Sequence, residues 1–167
     1  MRNTLWLLLL LCSFSAFSQC DIQNKISPDG TMYYFMEFQS FYFTDAKALK
    51  GGIYTDKENY YLALQPSPFP EKSKGIKMKE DLEITLANNK SYTLQHFDTQ
   101  YVDDNSTLQL LYSIDEKQLK DLLGFEITQV KIDMKGSEGV RTYLLKLHKK
   151  ALQEQLNCFL HPDKEKK

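Results

Sequence analysis

The chain is poor in the residues that most often carry chemistry. Its 167 residues include three cysteines, three histidines and one tryptophan. It has no G-x-S-x-G, H-E-x-x-H or C-x-x-C, no phosphate-cradling glycine loop and no dinucleotide fingerprint. Serine hydrolase, zinc hydrolase, thioredoxin-like and nucleotide-binding readings therefore lose their usual support. His96, His148 and His161 are too scattered to suggest a metal site, and the pattern calls for no cofactor. Charge of one sign is lacking as well. The formal net charge is −1, whereas a nucleic-acid partner calls for a strongly basic face. Glycine and proline are sparse, at seven and five, while aromatics reach 13%. That balance argues against disorder and for strands.

One apolar run is present, and it is short. Trp6 to Leu11 follows Arg2 and continues, diluted by serines, to Phe17. Ala16-Phe17-Ser18 then sets small residues at the −3 and −1 positions of a cut before Gln19. This is the layout of a secretory signal peptide over residues 1–18. The run falls short of the ~20 apolar residues of a transmembrane helix. Cleavage leaves roughly 150 residues, enough for one domain with a real core. The expected organisation is a single β-rich domain over 19–162 and a charged tail over 163–167. The expected location is outside the cytoplasm, in the periplasm, on the outer surface or in the medium.

Cys12 leaves with the signal peptide, so the mature pair is Cys20 and Cys158. An even pair in an exported chain reads as a disulfide. A rival use of Cys20 is a lipid anchor, since lipoprotein signals also end just before a cysteine. The residue before that cysteine is normally small, and Gln19 is not. The two readings exclude each other, because a lipidated Cys20 cannot pair with Cys158.

The rest of the chain reads as strands. Seven of the eleven residues from Tyr33 to Phe43 are aromatic, and a long central strand is expected over Thr31–Phe43. Leu49–Tyr54 and Asn59–Gln65 form a hairpin around Thr55-Asp56-Lys57-Glu58, with Gly51-Gly52 at a bend or bulge. Pro66, Pro68 and Pro70 break the sheet, and the loop beyond carries Lys72, Lys74, Lys77 and Lys79. Leu82–Leu86 and Ser91–Phe97 flank a turn at Asn88-Asn89-Lys90. Gln100–Ser106 reads as a loop, and Thr107–Tyr112 as a strand. Ser113 and Glu116 stand in capping-box spacing ahead of a short helix ending at Gly124. Phe125–Met134 and Val140–Leu147 are strands, and His148–His161 is a terminal helix with a stripe at Leu152, Leu156 and Phe159. The fold class is mainly β: an antiparallel β-sandwich of seven or eight short strands, with a capped helix and a C-terminal helix. A single sheet under that helix, an α+β layer, is the alternative.

Candidate sites are three. Tyr33, Phe35, Phe41 and Phe43 share a parity, and exposed together on one flat face they would stack on sugar rings. Core packing is the competing explanation for all four. His96, Asp98, Asp103, Asp104 and Asn105 carry calcium-type ligands at a spacing that matches no cation loop, so local turns explain them better. His96 facing Asp98, Asp103 or Asp104 is the one pair that could serve a hydrolase. The lysine-rich loop is diluted by Glu71, Glu80 and Asp81 and reads as a solvated segment.

The stretch Lys50-Gly51-Gly52-Ile53-Tyr54-Thr55-Asp56-Lys57-Glu58-Asn59-Tyr60-Tyr61-Leu62 resembles uncharacterised small exported proteins of Gram-negative bacteria. So does the ending from Arg141-Thr142-Tyr143-Leu144 through Asn157-Cys158. The resemblance implies a β-rich domain behind a signal peptide and assigns no functional residue. The expectation is an exported non-enzymatic binding or structural module of the cell envelope or secretome, with an envelope protein or a glycan as partner. A carbohydrate-binding module and a hydrolase of unrecognised type are the alternatives.

Overall fold

The computed structural model describes residues 20–27, 30–70, 78–135 and 139–162. The signal-peptide segment, most of the lysine-rich loop and the charged tail lie outside the described residues. Among the described residues, eleven antiparallel strands form two sheets, joined by two helices. The larger sheet holds β1 (Gln23–Ile26), β2 (Met32–Phe35), β3 (Gln39–Phe43), β4 (Ala48–Thr55), β5 (Tyr60–Ser67), β8 (His96–Val102) and β9 (Thr107–Ile114). Their order is β1-β2-β4-β5-β9-β8, with β3 also on β4. The smaller sheet is β11-β10-β6-β7, from β6 (Leu82–Leu86), β7 (Ser91–Leu94), β10 (Ile127–Asp133) and β11 (Val140–Leu144). Helices α1 (Glu116–Gly124) and α2 (Ala151–Leu160) complete the domain. The sandwich is the architecture expected from the strand pattern, with more strands than the sequence signals.

The main core lies between the sheets. Leu49, Ile53, Leu62, Leu64, Leu108, Leu110 and Tyr112 of the larger sheet meet Leu82, Ile84, Leu94, Val130, Ile132 and Tyr143 of the smaller. Alternation at period two selects these positions. Leu122 of α1 and Leu152 and Leu156 of α2 join this core, and Phe159 packs against it. A second cluster sits on the opposite face of the larger sheet. It comprises Tyr33, Tyr54, Tyr61, Ala63 and Leu111, with Phe35 and Phe38 packed on it.

The aromatic segment is broken where one strand was expected. β2 pairs with β4 at Thr55 and Tyr54, and β3 pairs with it from Gly51 to Ala48. Between them Met36–Phe38 make no ladder. The side chain of Gln155, from α2, fills the gap. Its Oε1 accepts from Ile53 N at 2.7 Å, and its Nε2 donates to Glu37 O at 3.0 Å. A side-chain amide thus stands in for the missing peptide pair, satisfying the buried Ile53 N–H and bonding the Glu37 carbonyl. A Cβ at Gly52 would sit 3.1 Å from that oxygen and 3.0 Å from Phe38, so glycine is what lets the wedge enter. A further register shift lies between Ser40 and Tyr42. The break and the bulge together undo the parity read from sequence.

Other boundaries move for local reasons. The capping box is built by Asp115 and Gln118, two residues beyond the Ser113–Glu116 pair. Gln118 N donates to Asp115 Oδ1 at 2.8 Å, and Asp115 N donates to Gln118 Oε1 at 2.8 Å. Ser113 remains in β9, paired with Tyr61. β5 runs through Pro66, opposite Leu49 of β4. Its pairing to β9 ends at Leu64, so Pro66 occupies an edge position where no donor is needed on that side. The expected loop at Gln100–Ser106 is half strand. β8 extends to Val102, and only Asp103–Ser106 turn. The chain changes sheets at Gln95, whose carbonyl accepts from Ser113 N at 2.9 Å.

Cys20 and Cys158 form a disulfide across 138 residues of chain. It ties the segment before β1 to α2, one turn beyond Gln155. No helix among the described residues is long and apolar enough to cross a membrane.

Candidate functional site

The four aromatics of equal sequence parity do not share a face. Tyr33 is 6% exposed and belongs to the outer cluster, where Phe35 packs half-buried beside it. Phe41 is 1% exposed and lies in the inter-sheet core, whereas Phe43 stands 69% exposed on β3. Burial therefore removes Tyr33 and Phe41 from any stacking platform, and the strand break separates Phe35 from Phe43.

A different aromatic is presented to solvent. β8 carries a bulge between His96 and Asp98, and the extra residue is Phe97. Its ring is 46% exposed and lies 4.5 Å from Tyr61. Tyr61 is held in turn by Tyr33, edge-on at 5.9 Å, and by a 3.1 Å hydrogen bond from its hydroxyl to Asp56. Burial, and then the Asp56 charge, push the Tyr61 phenol far above its ordinary range. It therefore remains a neutral donor. The bulge aims the ring outward, a usual result of an extra residue in an edge strand.

Phe97 lines a cleft of about 470 Å³ with Met78, Lys79, His96, Asp98, Thr99 and Tyr101. The polar groups here are committed to one another. Thr99 Oγ1 donates its single proton to Met78 O at 2.6 Å. It must therefore accept from His96 Nε2, 2.8 Å away, which fixes the proton on that nitrogen. Asp98 Oδ1 accepts from Thr99 N at 2.7 Å, and Oδ2 accepts from Gln100 Nε2 at 2.8 Å. His96 N donates to Asp81 Oδ1 at 2.9 Å. Burial lowers the His96 pKa below its ordinary value of 6.5, helped by Lys79 and opposed by Asp98 and Asp81. The ring is neutral at neutral pH. These bonds also cover the sheet edge, since Thr99 reaches Met78 and the Tyr101 hydroxyl donates to Pro70 O at 2.9 Å.

The His–carboxylate pairs named from sequence assemble only in part. His96 and Asp98 share the cleft, but the carboxylate is bonded to Thr99 and Gln100. Asp103 and Asp104 lie beyond the far end of β8, about 20 Å along a strand of this length. Asp103, Asp104 and Asn105 all have positive φ, and Ser106 N donates to Asp103 O at 3.0 Å. They form a tight turn of residues that tolerate the left-handed region. Among the described residues no group of three or more His, Cys, Asp and Glu could hold a metal ion. Phe97 was missed because the bulge defeats simple alternation. Its one sequence signal is an aromatic between His96 and Asp98, where a buried side chain would have apolar neighbours in register.

No protein-family model, curated protein or solved structure matches this chain.

Proposed function

We propose that the protein is an exported, non-enzymatic binding module of the cell envelope or secretome, with the β8 cleft as its ligand site. The observation that carries the reading is the state of the cleft's reactive groups. The Thr99 hydroxyl proton points at a backbone carbonyl, so His96 does not activate it as a nucleophile. The Asp98 carboxylate is taken up by two donors, Thr99 N and Gln100 Nε2. What the cleft offers a visitor is an exposed ring beside a fixed carboxylate, an arrangement for holding rather than transforming. The signal-peptide layout and the disulfide support a location outside the cytoplasm. An envelope protein or a glycan is the partner class.

Two experiments test the proposal. Intact mass from the native host, with and without reductant, reads the processing. A chain starting at Gln19 that gains two hydrogens on reduction is the expected result, whereas a chain starting at acylated Cys20 overturns the disulfide-bonded product. Purified protein assayed against chromogenic ester, phosphate and glycoside substrates should show no turnover. Turnover that disappears in His96→Ala overturns the non-enzymatic reading.

A further inference from the structure

The ligand class can be narrowed from the same cleft, an inference that rests on the binding-module reading. We infer that the β8 cleft is a saccharide site, with Phe97 as stacking platform and Asp98 as hydroxyl acceptor. A sugar ring has an apolar C–H face and a rim of hydroxyls, and each finds its counterpart here. The Phe97 ring is exposed on one side and backed on the other by Tyr61, itself fixed by Tyr33 and Asp56. A ring held in this way loses little freedom when a ligand stacks on it. Asp98 lies next in sequence and lines the same cleft. Each of its oxygens takes one bond from the protein, and an ionised carboxylate has about four acceptor sites. The carboxylate is thus oriented with acceptor capacity to spare. Lys79 adds a donor on the lining.

The charge balance points the same way. One carboxylate, one ammonium and a neutral imidazole line the cleft, and the charges next to them, Asp81 by His96 and Lys25 by Asp98, also balance, so neither a strong anion nor a strong cation is favoured. A wholly apolar ligand would strip water from Asp98 and Lys79 with nothing in return. The volume falls within the roughly 300–1,000 Å³ of small-molecule sites. Cutting a glycosidic bond takes two carboxyl groups about 5–9.5 Å apart. Asp98 is the single carboxylate among the described residues lining the cleft. A catalytic pair of carboxylates is thus not assembled among the described lining residues.

The test is calorimetric titration of the purified, disulfide-bonded protein with uncharged tetrasaccharides: β-1,4-linked glucose, β-1,4-linked N-acetylglucosamine and α-1,4-linked glucose. Saturable binding of at least one is expected. Phe97→Ala should weaken it by about tenfold or more, and Phe97→Tyr should retain it, because the stacking face survives. Asp98→Ala should weaken it several-fold. Phe125→Ala removes a ring of similar exposure (40%) in a different cleft and should leave binding unchanged. Absence of binding across the panel, or binding indifferent to Phe97→Ala, overturns the saccharide inference. Parallel titrations with short peptides and aromatic amines separate the two levels of the reading. If one of these binds and Phe97→Ala abolishes it, the saccharide inference fails and the module reading stands. If Phe97→Ala alters no binding in either set, both fall.

Discussion

Gln155 is 4% exposed, an unusual place for an amide, and its position explains why. One side chain satisfies the Ile53 N–H and the Glu37 carbonyl across the gap in the larger sheet. Gln155→Leu keeps the volume and strands the buried Ile53 N–H, whereas the exposed Glu37 carbonyl keeps Gln39 Nε2 at 3.4 Å. The expected loss is about 1–3 kcal/mol, measured as the shift in a urea unfolding curve. Gln155→Glu should also destabilise, because a carboxylate accepts from Ile53 and cannot donate to Glu37. His96 gives a pH signature. Burial lowers its pKa in the fold, so the unfolded chain takes up a proton at higher pH than the native one. Stability should therefore fall as pH drops through the ordinary histidine value of about 6.5, and level off below the native value. His96→Gln should flatten that limb in unfolding midpoints measured between about pH 7.5 and 5. Asp56 titrates separately. Burial opposes its ionised form, but bonds from Asn59, Glu58 and Tyr61 outweigh it and lower the pKa from 3.8. Its contribution is lost in a more acid window.

Elements show where sequence pattern suffices and where it does not. The β4–β5 hairpin was legible because an apolar run, a polar four-residue turn and a second apolar run occur in register, although the turn lies one residue later than read, with Thr55 paired to Tyr60. The stripe of α2 was legible for the same reason, since Leu152 and Leu156 fall on one helical face and both are buried. β2 and β3 were not separable, because the cause of their break is an amide over 100 residues away in sequence. The start of α1 was read two residues early, because Asp115–Gln118 fits the same capping spacing as Ser113–Glu116. The choice fell to β9, which keeps Ser113 in its ladder. Asp115→Ala should cost about 1 kcal/mol in chemical denaturation. Ser113→Ala should cost less, since no cap depends on its hydroxyl.

At the scale of the molecule, two layers are joined at several crossings. The chain passes between sheets at Gln95 and again through α1. Lys146 N and Leu147 N both donate to Phe41 O, at 3.1 and 3.2 Å, tying the segment after β11 back to β3. Fold class was legible because the number of strands and the polar turns between them leave few alternatives. The site was not, because an edge-strand bulge rather than a motif creates it. The Cys20–Cys158 bond spans this whole assembly. Closing a loop of 138 residues contributes up to about 5 kcal/mol by the chain-entropy account, a large share of the roughly 5–15 kcal/mol typical of a domain. Reduction, or Cys158→Ser, should lower the urea midpoint accordingly and leave the strand signal in circular dichroism intact in native buffer.

The same bond changes how the protein carries mechanical load. A pull applied to the flanking segments before Cys20 and after Cys158 travels through sulfur and bypasses the fold. The sandwich between them bears no tension while the bond is oxidised. Once it is reduced, the strands must hold the force themselves, and their failure would release roughly 450–500 Å of extended chain. The load limit between Cys20 and Cys158 is thus set by a redox reaction rather than by the core.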